Sequence, residues 1–254
     1  MPRSRIILLL IATLALGSNA VSAEQSVRLM ASTSPPYVDA QLPEQGLALE
    51  LVRHIYSRTG YTPDIKIERW SQAVEGTQIG VYDALAVAWY TEERNKDFIF
   101  SEPYLDGDLI LVKALHDPRN YRGLQDLSGK RLGVQTDYGY GIDFEQIQGL
   151  VLVQENHLIQ NLLKLLQGKL DLVIGDRRTL KMQLHEYLSD RANQVQVVPM
   201  SLPSRERHVA ASREVAGSQD MIAAFNKALT EVKKDGSYDA IISKWEERYG
   251  MATN

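Results

Sequence analysis

One arginine in this chain stands where a carboxylate could be bound. Arg94 follows an apolar run, Ala84–Ala88, whose composition predicts a buried strand. A guanidinium group beyond such a strand can hold a carboxylate through two parallel hydrogen bonds. The alternative is a surface arginine that pairs with Glu92, Glu93 or Asp97, and most pairs of that kind are solvated and weak. On the residues alone, the surface pairing is the favoured interpretation.

A carboxylate occupies a similar place later in the chain. Residues 170–174 predict a second buried strand, and Asp176 lies just past it. A carboxylate there is costly unless it is paired. Asp176 therefore either meets a cationic group or caps the helix that is predicted to begin near Arg177, and both interpretations stay open.

A third candidate is an anion site made of backbone amides. Thr136, Asp137 and Tyr138 follow a predicted strand at residues 131–134 and are expected to precede a helix. The N–H groups at the start of a helix bind anions, so this segment could hold the same carboxylate as Arg94 from the opposite side. A plain helix cap by Thr136 or Asp137 is the alternative, and the two can be true together.

Strands and helices alternate along the chain, and one pattern occurs twice. Residues 78–83 and 166–171 each end a predicted helix, continue as Gly-x-x-Asp and lead into an apolar strand, 88 positions apart. Further helices are predicted at 46–58, 158–167, 219–234 and 237–248. Alternating β and α units favour mostly parallel sheets covered by helices, with ligands beyond the carboxyl ends of the strands.

The predicted fold is an α/β protein of two lobes, joined by two crossing strands and able to close by hinge motion. The polar stretch at 113–122 is expected to carry the chain into the second lobe, and residues 202–204 to carry it back. The predicted division is therefore 24–112 plus 207–254 for lobe 1, and 113–206 for lobe 2.

The first 23 residues predict a signal peptide rather than part of the fold. Arg3 and Arg5 precede an apolar stretch of 11 residues at 6–16, and Val21-Ser22-Ala23 offers a cleavage site. An uncleaved anchor is the alternative, although this stretch is well short of the roughly 20 residues that a membrane span needs. We therefore expect a mature protein that starts near Glu24 and lies in the periplasm.

Composition argues against several partners. The chain has no cysteine, so the exported protein would be held together by its core alone. Of 28 basic side chains two lie in the leader, which leaves 26 against 32 acidic ones and a net charge of −6. That balance argues against nucleic acid or an anionic membrane surface. The five histidines lack metal-ligand spacing and no nucleotide-binding glycine motif is present, so no metal or cofactor is expected.

A series of short motifs covers most of the chain, and their order and spacing are specific only when taken together. They are Pro-Pro-Tyr (35–37), Gly-x-x-x-Glu-Leu (46–51), Gly-x-Tyr-Asp (80–83), Thr-Glu-Glu-Arg (91–94), Phe-Ser-Glu-Pro-Tyr (100–104), Asp-Leu-Ser-Gly-Lys (126–130), Gly-Lys-Leu-Asp (168–171) and Lys-Asp-Gly-Ser-Tyr (234–238). With them the chain resembles the bacterial extracytoplasmic solute-binding proteins of family 3, which serve the uptake of polar amino acids. The resemblance implies the type II periplasmic binding protein fold. It also implies a monomer, without enzymatic activity, that presents a small amino acid or related carboxylate to the permease of an ABC transporter.

The resemblance assigns roles to the polar candidates. Arg94 would bind the ligand carboxylate, which reverses the preference drawn from the residues alone. Asp176 would pair with the ligand amino group, and the backbone carbonyl groups from Ala86 to Trp89 would accept hydrogen bonds from the same ammonium.

The remaining implied site residues would line the pocket. Tyr37 and Trp70 would be aromatic walls that stack on the ligand, although Trp70 could instead be a core tryptophan. On the second lobe the lining would come from Gln135, Thr136, Asp137 and Tyr138.

Departures from the family pattern leave the ligand open. Ala48 stands where many amino-acid binders have an aspartate, and Arg177 and Arg178 stand where small residues often follow the aspartate of the second lobe. These two arginines could attract an acidic or phosphorylated ligand. The favoured alternative is that they are solvated at the start of a helix.

Two other functions stay open on the same scaffold, since a fold does not dictate a function. One is an enzyme similar to the cyclohexadienyl dehydratases, which would need a general acid. The carboxyl groups available for it are Glu50, Glu145 and Glu155. The other is a periplasmic sensor that contacts a membrane kinase.

Overall fold

Two five-stranded sheets form the framework of the molecule. The computed structural model describes residues 25–136 and 138–251. The predicted leader and Asp137 lie outside these residues. Within them, no helix combines the length and the apolar character that a membrane span requires.

The first sheet has the strand order β2-β1-β3-β10-β4. Its strands are β1 (Gln25–Ala31), β2 (Tyr61–Ile67), β3 (Ala84–Ala88), β4 (Phe98–Phe100) and β10 (His208–Ser212). β1 runs parallel to β2 and β3, whereas β10 is antiparallel to β3 and β4.

The second sheet repeats this layout in the order β7-β6-β8-β5-β9. Its strands are β5 (Leu109–Ala114), β6 (Arg131–Gln135), β7 (Val151–Glu155), β8 (Leu172–Asp176) and β9 (Val195–Val197). β6 is parallel to β7 and β8, and β5 is antiparallel to β8 and β9. The two-lobed α/β fold is therefore as predicted, but each sheet is half parallel rather than mostly parallel. The antiparallel half arises because β5 and β10 enter their sheets from the crossing segments and not through a βαβ unit.

Six α-helices cover the sheets. They are α1 (Leu47–Tyr56), α2 (Trp70–Gln78), α3 (Leu158–Leu166), α4 (Arg177–Tyr187), α5 (Ser218–Lys234) and α6 (Ser237–Arg248). Apolar residues recur at helical spacing in α1 and α3, and these faces pack against the sheets. The predicted helices at these positions are confirmed to within two residues at each end.

The repeated Gly-x-x-Asp pattern corresponds to a repeated ion pair. Asp83, just before β3, accepts hydrogen bonds from the backbone N–H of Arg28 at 2.7 Å and from its guanidinium group at 2.6 Å. Asp171, just before β8, accepts the equivalent bonds from Arg131, at 2.8 Å and 3.1 Å. Each pair fastens a strand at the same place in its sheet, β1 or β6, to the neighbouring β3 or β8, so the two lobes are built on the same plan.

Two chain segments cross between the lobes side by side. Leu105 bridges Arg207, and Asp108 bridges Ser204, in antiparallel fashion. β5 then lies wholly in the second sheet, so the chain leaves the first lobe before residue 109 and not at residue 113 as predicted. The apolar composition of β5 suits either sheet, and only its pairing with β8 and β9 assigns it to lobe 2.

Candidate functional site

The residues that gather between the lobes come from the ends of strands in both sheets. Trp89 follows β3 and Tyr138 follows β6, and their ring centroids lie 4.7 Å apart. Tyr37, from the loop after β1, donates a hydrogen bond of 2.7 Å from its hydroxyl to Asp176 at the end of β8. This junction is called the cleft below.

Arg94 lies in a single 3₁₀ turn (Arg94–Lys96) after β3, where its side chain is half-buried. Its Nη1 donates to the carbonyl oxygen of Trp89 at 3.0 Å, and its guanidinium carbon lies 4.6 Å from the centre of the Trp70 ring. Burial lowers the pKa of Arg94, because desolvation disfavours the charge; the adjacent Glu93 raises it in part, and the neighbouring Arg205 lowers it by a smaller amount. Arg94 forms no ion pair with a residue that the structure describes.

The acids near Arg94 in sequence are engaged elsewhere. Glu92 accepts a hydrogen bond of 3.0 Å from the hydroxyl of Tyr90. Asp97 accepts one of 2.8 Å from the amide of Gln78. The surface pairing that the residues alone favoured is therefore wrong for these two acids.

Trp70 is the first residue of α2 and is 36% exposed, so it is not a core tryptophan. Its ring supports the Arg94 guanidinium, an arrangement favoured by the attraction between a cation and the face of an indole. Arg69 precedes α2 in extended conformation without a side-chain cap. The Trp70 ring thus stacks on Arg94, and its role as an aromatic wall against a ligand stays a prediction.

Tyr37 is held in place by the start of α1. The amides of Leu47 and Ala48 donate to the carbonyl oxygens of Pro36 and Tyr37 at 2.9 Å and 3.0 Å. These are helix N-terminal amides that have no partner within their own helix. Gly46 adopts φ 113°, and a β-carbon there would collide with the Tyr37 carbonyl. Only glycine allows this close approach.

Asp176 is 2% exposed and accepts hydrogen bonds from four donors, two of which are the amide and the hydroxyl of Thr179. Besides the Tyr37 hydroxyl, it accepts a 3.0 Å bond from the amide of Thr179 and therefore caps α4. Its second oxygen lies 3.5 Å from Nη2 of Arg207. The cap interpretation of Asp176 is therefore confirmed. The cation that this carboxylate meets is Arg207 of the protein itself, and pairing with a ligand amino group stays a prediction.

Sequence reasoning missed Arg207. It follows the return crossing, is 3% exposed, and its guanidinium carbon lies 3.4 Å from the centre of the Tyr37 ring. Desolvation would lower the pKa of Arg207, but its interactions with Tyr37 and Asp176 outweigh this and raise it above the ordinary value. The residue looked like part of a polar loop, and nothing local in the sequence signals that it is buried.

The carbonyl groups expected to meet a ligand ammonium have protein partners. The oxygen of Ala86 accepts a 3.0 Å hydrogen bond from the hydroxyl of Tyr104, and the oxygen of Trp89 accepts from Arg94. A carbonyl can accept a second bond, but Ala86 is fully buried. The ammonium role predicted for these two groups has little support in the geometry.

The predicted helix start at 136–138 is wrong. Thr136 lies in a turn, its amide donates to the Glu155 carbonyl at 3.0 Å, and Tyr138 is in irregular backbone. The next helical turn is a short 3₁₀ segment at Phe144–Gln146. Gly139 and Gly141 disfavour a helix here, and Tyr140 instead buries its ring in lobe 2. Asp137 lies outside the described residues.

Gln135, the half-buried last residue of β6, borders this turn. Its backbone amide donates at 2.8 Å to the hydroxyl of Tyr140. This bond joins the turn to the end of β6. The buried Tyr140 ring therefore sets the position of Tyr138 opposite Trp89.

Arg205 is the second residue that sequence reasoning missed. Nε and Nη2 donate to the Gly139 carbonyl at 2.8 Å and 2.6 Å, and its guanidinium carbon lies 5.9 Å from the centre of the Trp89 ring. A β-carbon on Gly141, where φ is 66°, would lie 2.8 Å from the guanidinium carbon. Arg205 also forms no ion pair with any residue in the described ranges. The only feature of the sequence that could have pointed to Arg205 as a cleft residue is its position two residues before Arg207.

Arg177 lies away from the cleft, whereas the charge of Arg178 reaches it, since Tyr37 and Asp176 both raise the pKa of Arg178 against the effect of burial. Nε of Arg177 lies 3.5 Å from an oxygen of Asp108. Arg178 donates to the Asp106 carbonyl at 2.9 Å and lies 3.4 Å from Glu246 of α6. These arginines are therefore paired with the crossing segment and with lobe 1, and they are not simply solvated.

Comparison with known proteins agrees with this architecture. The family model for bacterial extracellular solute-binding proteins, family 3, matches residues 28–248. The L-cystine-binding protein TcyJ of Escherichia coli (strain K12) is 25% identical over 209 residues, which cover 79% of this chain and 73% of that protein. The ABC transporter arginine-binding protein 1 of the same organism is 24% identical over 187 residues, or 72% and 69% of the two chains.

A solved structure shows the same fold. An ancestral arginine-binding protein bound to arginine superposes with a TM-score of 0.69 at 24% identity, covering 88% of this chain and 99% of that one. The two-lobed fold is therefore shared.

Proposed function

Because the chain belongs to the bacterial extracellular solute-binding proteins of family 3, we propose that its cleft captures a small amino acid or related carboxylate for an ABC transporter. The observation that carries this proposal is Arg94, a half-buried guanidinium that stacks on Trp70 and forms no ion pair with any of the described residues, the charge of Glu93 acting on it without direct pairing. A buried cation of this kind gains most when an anion arrives to pair with it. The planar fork of the guanidinium suits a carboxylate.

Closure of the two lobes is the proposed mechanism. The contact between Trp89 of lobe 1 and Tyr138 of lobe 2 can form only when the second lobe lies against the first. Met182 of α4 packs into the apolar core of lobe 1, which extends the same contact. A ligand that touches both lobes would shift the population toward this closed form, which the permease would recognise.

The site would act outside the cytoplasm, in the periplasm, after removal of the leader. The protein would work as a monomer and without a cofactor. Against the enzymatic alternative, Glu50 accepts a 2.6 Å bond from the Trp245 indole and pairs with Lys244, and Glu155 pairs with Lys164. Carboxyl groups held in this way are poorly suited to donate a proton to a substrate.

Native mass spectrometry of the purified protein tests the proposal. We expect retained cargo whose mass corresponds to a small carboxylate, and isothermal titration of the unfolded and refolded protein should then give one site. Turnover of the cargo, in place of stoichiometric binding, would contradict the receptor function.

A further inference from the structure

The acceptor groups of the cleft that could receive a ligand ammonium already have partners from the protein. Asp176 accepts from Tyr37 and Thr179 and faces Arg207. The Ala86 carbonyl accepts from Tyr104, and the Trp89 carbonyl accepts from Arg94. The groups that would recognise the amino end of an amino acid are thus occupied by the chain itself.

Arg207 is built into this position. It is clamped between the Tyr37 ring and Asp176, and both charged side chains are almost fully buried, at 4% and 2% exposure. A β-carbon on Gly107 would collide with the guanidinium and lie 3.0 Å from Asp176, so the crossing strand leaves room for the pair. A ligand ammonium would place a second cation beside a carboxylate that is already neutralised, which is unfavourable in a buried site.

The uncompensated charge in the cleft is positive. Arg94 and Arg205 both lie against Trp89, the first on its carbonyl oxygen and the second beside its ring. They are close enough for the charge of Arg205 to lower the pKa of Arg94. Neither Arg94 nor Arg205 forms an ion pair with a residue that the structure describes. Within the same residues, their guanidinium groups donate to neutral backbone carbonyl groups.

From this geometry we infer that the cleft takes a small dicarboxylate without an α-amino group, with one carboxylate on Arg94 and the other on Arg205. The inference rests on the proposed function and deepens it, because it keeps the carboxylate at Arg94 and replaces the ligand ammonium by Arg207. It also makes Arg205 a residue that determines specificity.

Matched pairs of acids test the inference on the unaltered protein. Isothermal titration would compare succinate with aspartate, glutarate with glutamate, and adipate with 2-aminoadipate. A hydrogen bond to a charged group is worth about tenfold or more in affinity, so we expect at least one diacid to bind about tenfold tighter than its amino counterpart. A smaller preference, the opposite preference, or binding of arginine with similar affinity would overturn the inference while leaving carboxylate capture intact. If neither these acids nor any of the common amino acids bind, the proposed function fails as well.

Two variants test whether Arg205 binds the second carboxylate of the ligand. In Arg205→Gln we expect the affinity for the preferred diacid to fall about tenfold or more, while the affinity for a monocarboxylate of the same length stays within twofold. Arg58→Gln is the control, because Arg58 is exposed and pairs with Asp235 on the surface. An Arg205→Gln protein that binds the diacid as the unaltered protein does would overturn the assignment.

The role of Arg207 is tested by a gain of function. Arg207→Met frees the Asp176 carboxylate, and we expect the preference to move toward the amino member of each pair. A folded variant that keeps the original preference would contradict the replacement of the ligand ammonium by Arg207. If circular dichroism shows that the variant does not fold, the matched pairs and Arg205→Gln still decide the inference.

Discussion

The hydroxyl of Tyr37 and the carboxylate of Asp176, 139 positions apart in the chain, are joined by a hydrogen bond of 2.7 Å. Tyr37 belongs to lobe 1 and Asp176 to lobe 2, so this bond spans the cleft. Burial raises the pKa of Tyr37 well above its usual value, which keeps the phenol protonated as a donor. With Arg207 stacked on the ring, the three groups form a buried, charge-balanced junction.

Removing the Asp176 charge should destabilise the protein. Asp176→Asn would leave Arg207 buried without a counter-ion, and breaking a buried pair in this way costs about 3–5 kcal/mol. Urea unfolding measures this as a lower free energy of unfolding. The control is Asp235→Asn, whose partner Arg58 is exposed. The double variant Asp176→Asn with Arg207→Met should recover part of the loss, and an equal loss in both carboxylate variants would contradict the junction.

Removing Arg94 should abolish most of the affinity for the native cargo. Arg94→Ala leaves a buried ligand carboxylate without its partner, which costs about 2–5 kcal/mol of binding free energy. Isothermal titration with the cargo identified by mass spectrometry gives the change in Kd. Arg58→Ala, on the surface, should bind normally. An unchanged Kd in Arg94→Ala would remove this residue from the site.

The glycine beneath Arg205 should matter for binding as well as for folding. Gly141→Ala forces an alanine into a left-handed conformation, at about 1–2 kcal/mol of stability, and pushes its β-carbon toward the guanidinium. Gly168→Ala is the matched control, because its φ of 71° is similar but a β-carbon there meets nothing within 4 Å. We expect similar losses of stability in both variants and a weaker affinity only in Gly141→Ala. Equal affinities would show that Arg205 is not needed in its present position.

Low pH should weaken the ion pair between Arg131 and Asp171 in lobe 2. Burial alone would raise the pKa of Asp171, but the hydrogen bonds from Arg131 and Arg119 outweigh it and lower the pKa to about 2. Because the folded pKa lies below the unfolded one, the stabilisation is complete above about pH 4 and disappears as the pH falls toward about 2. The free energy of unfolding, measured from pH 7 to pH 2, should therefore fall less steeply in Asp171→Asn than in the unaltered protein. The exposed Asp190 supplies the control variant Asp190→Asn, and identical slopes in all three proteins would sink the prediction.

Local patterns in the sequence were sufficient for most of the framework. The apolar period of α1 and α3 predicted these helices closely, because a helix is specified by residues three and four positions apart. The two Gly-x-x-Asp turns likewise indicated two lobes of the same plan, and Arg28–Asp83 and Arg131–Asp171 are the physical form of that repeat. The position of Arg94 after β3 could also be read from the sequence.

Tertiary structure alone decided what the cleft contains. The helix expected at 136–138 is absent because Tyr140 gains more from burial in lobe 2 than its segment would gain from helical hydrogen bonds. Arg205 and Arg207 enter the cleft because the two crossing segments pair, at Leu105–Arg207 and Asp108–Ser204. Such pairing joins residues about a hundred positions apart. The charges of these arginines lose their hydration only when both lobes surround them, and this desolvation determines what each charge costs in free energy. A local pattern can therefore place a charged residue at the end of a strand, but only the assembled fold determines which partner it meets there.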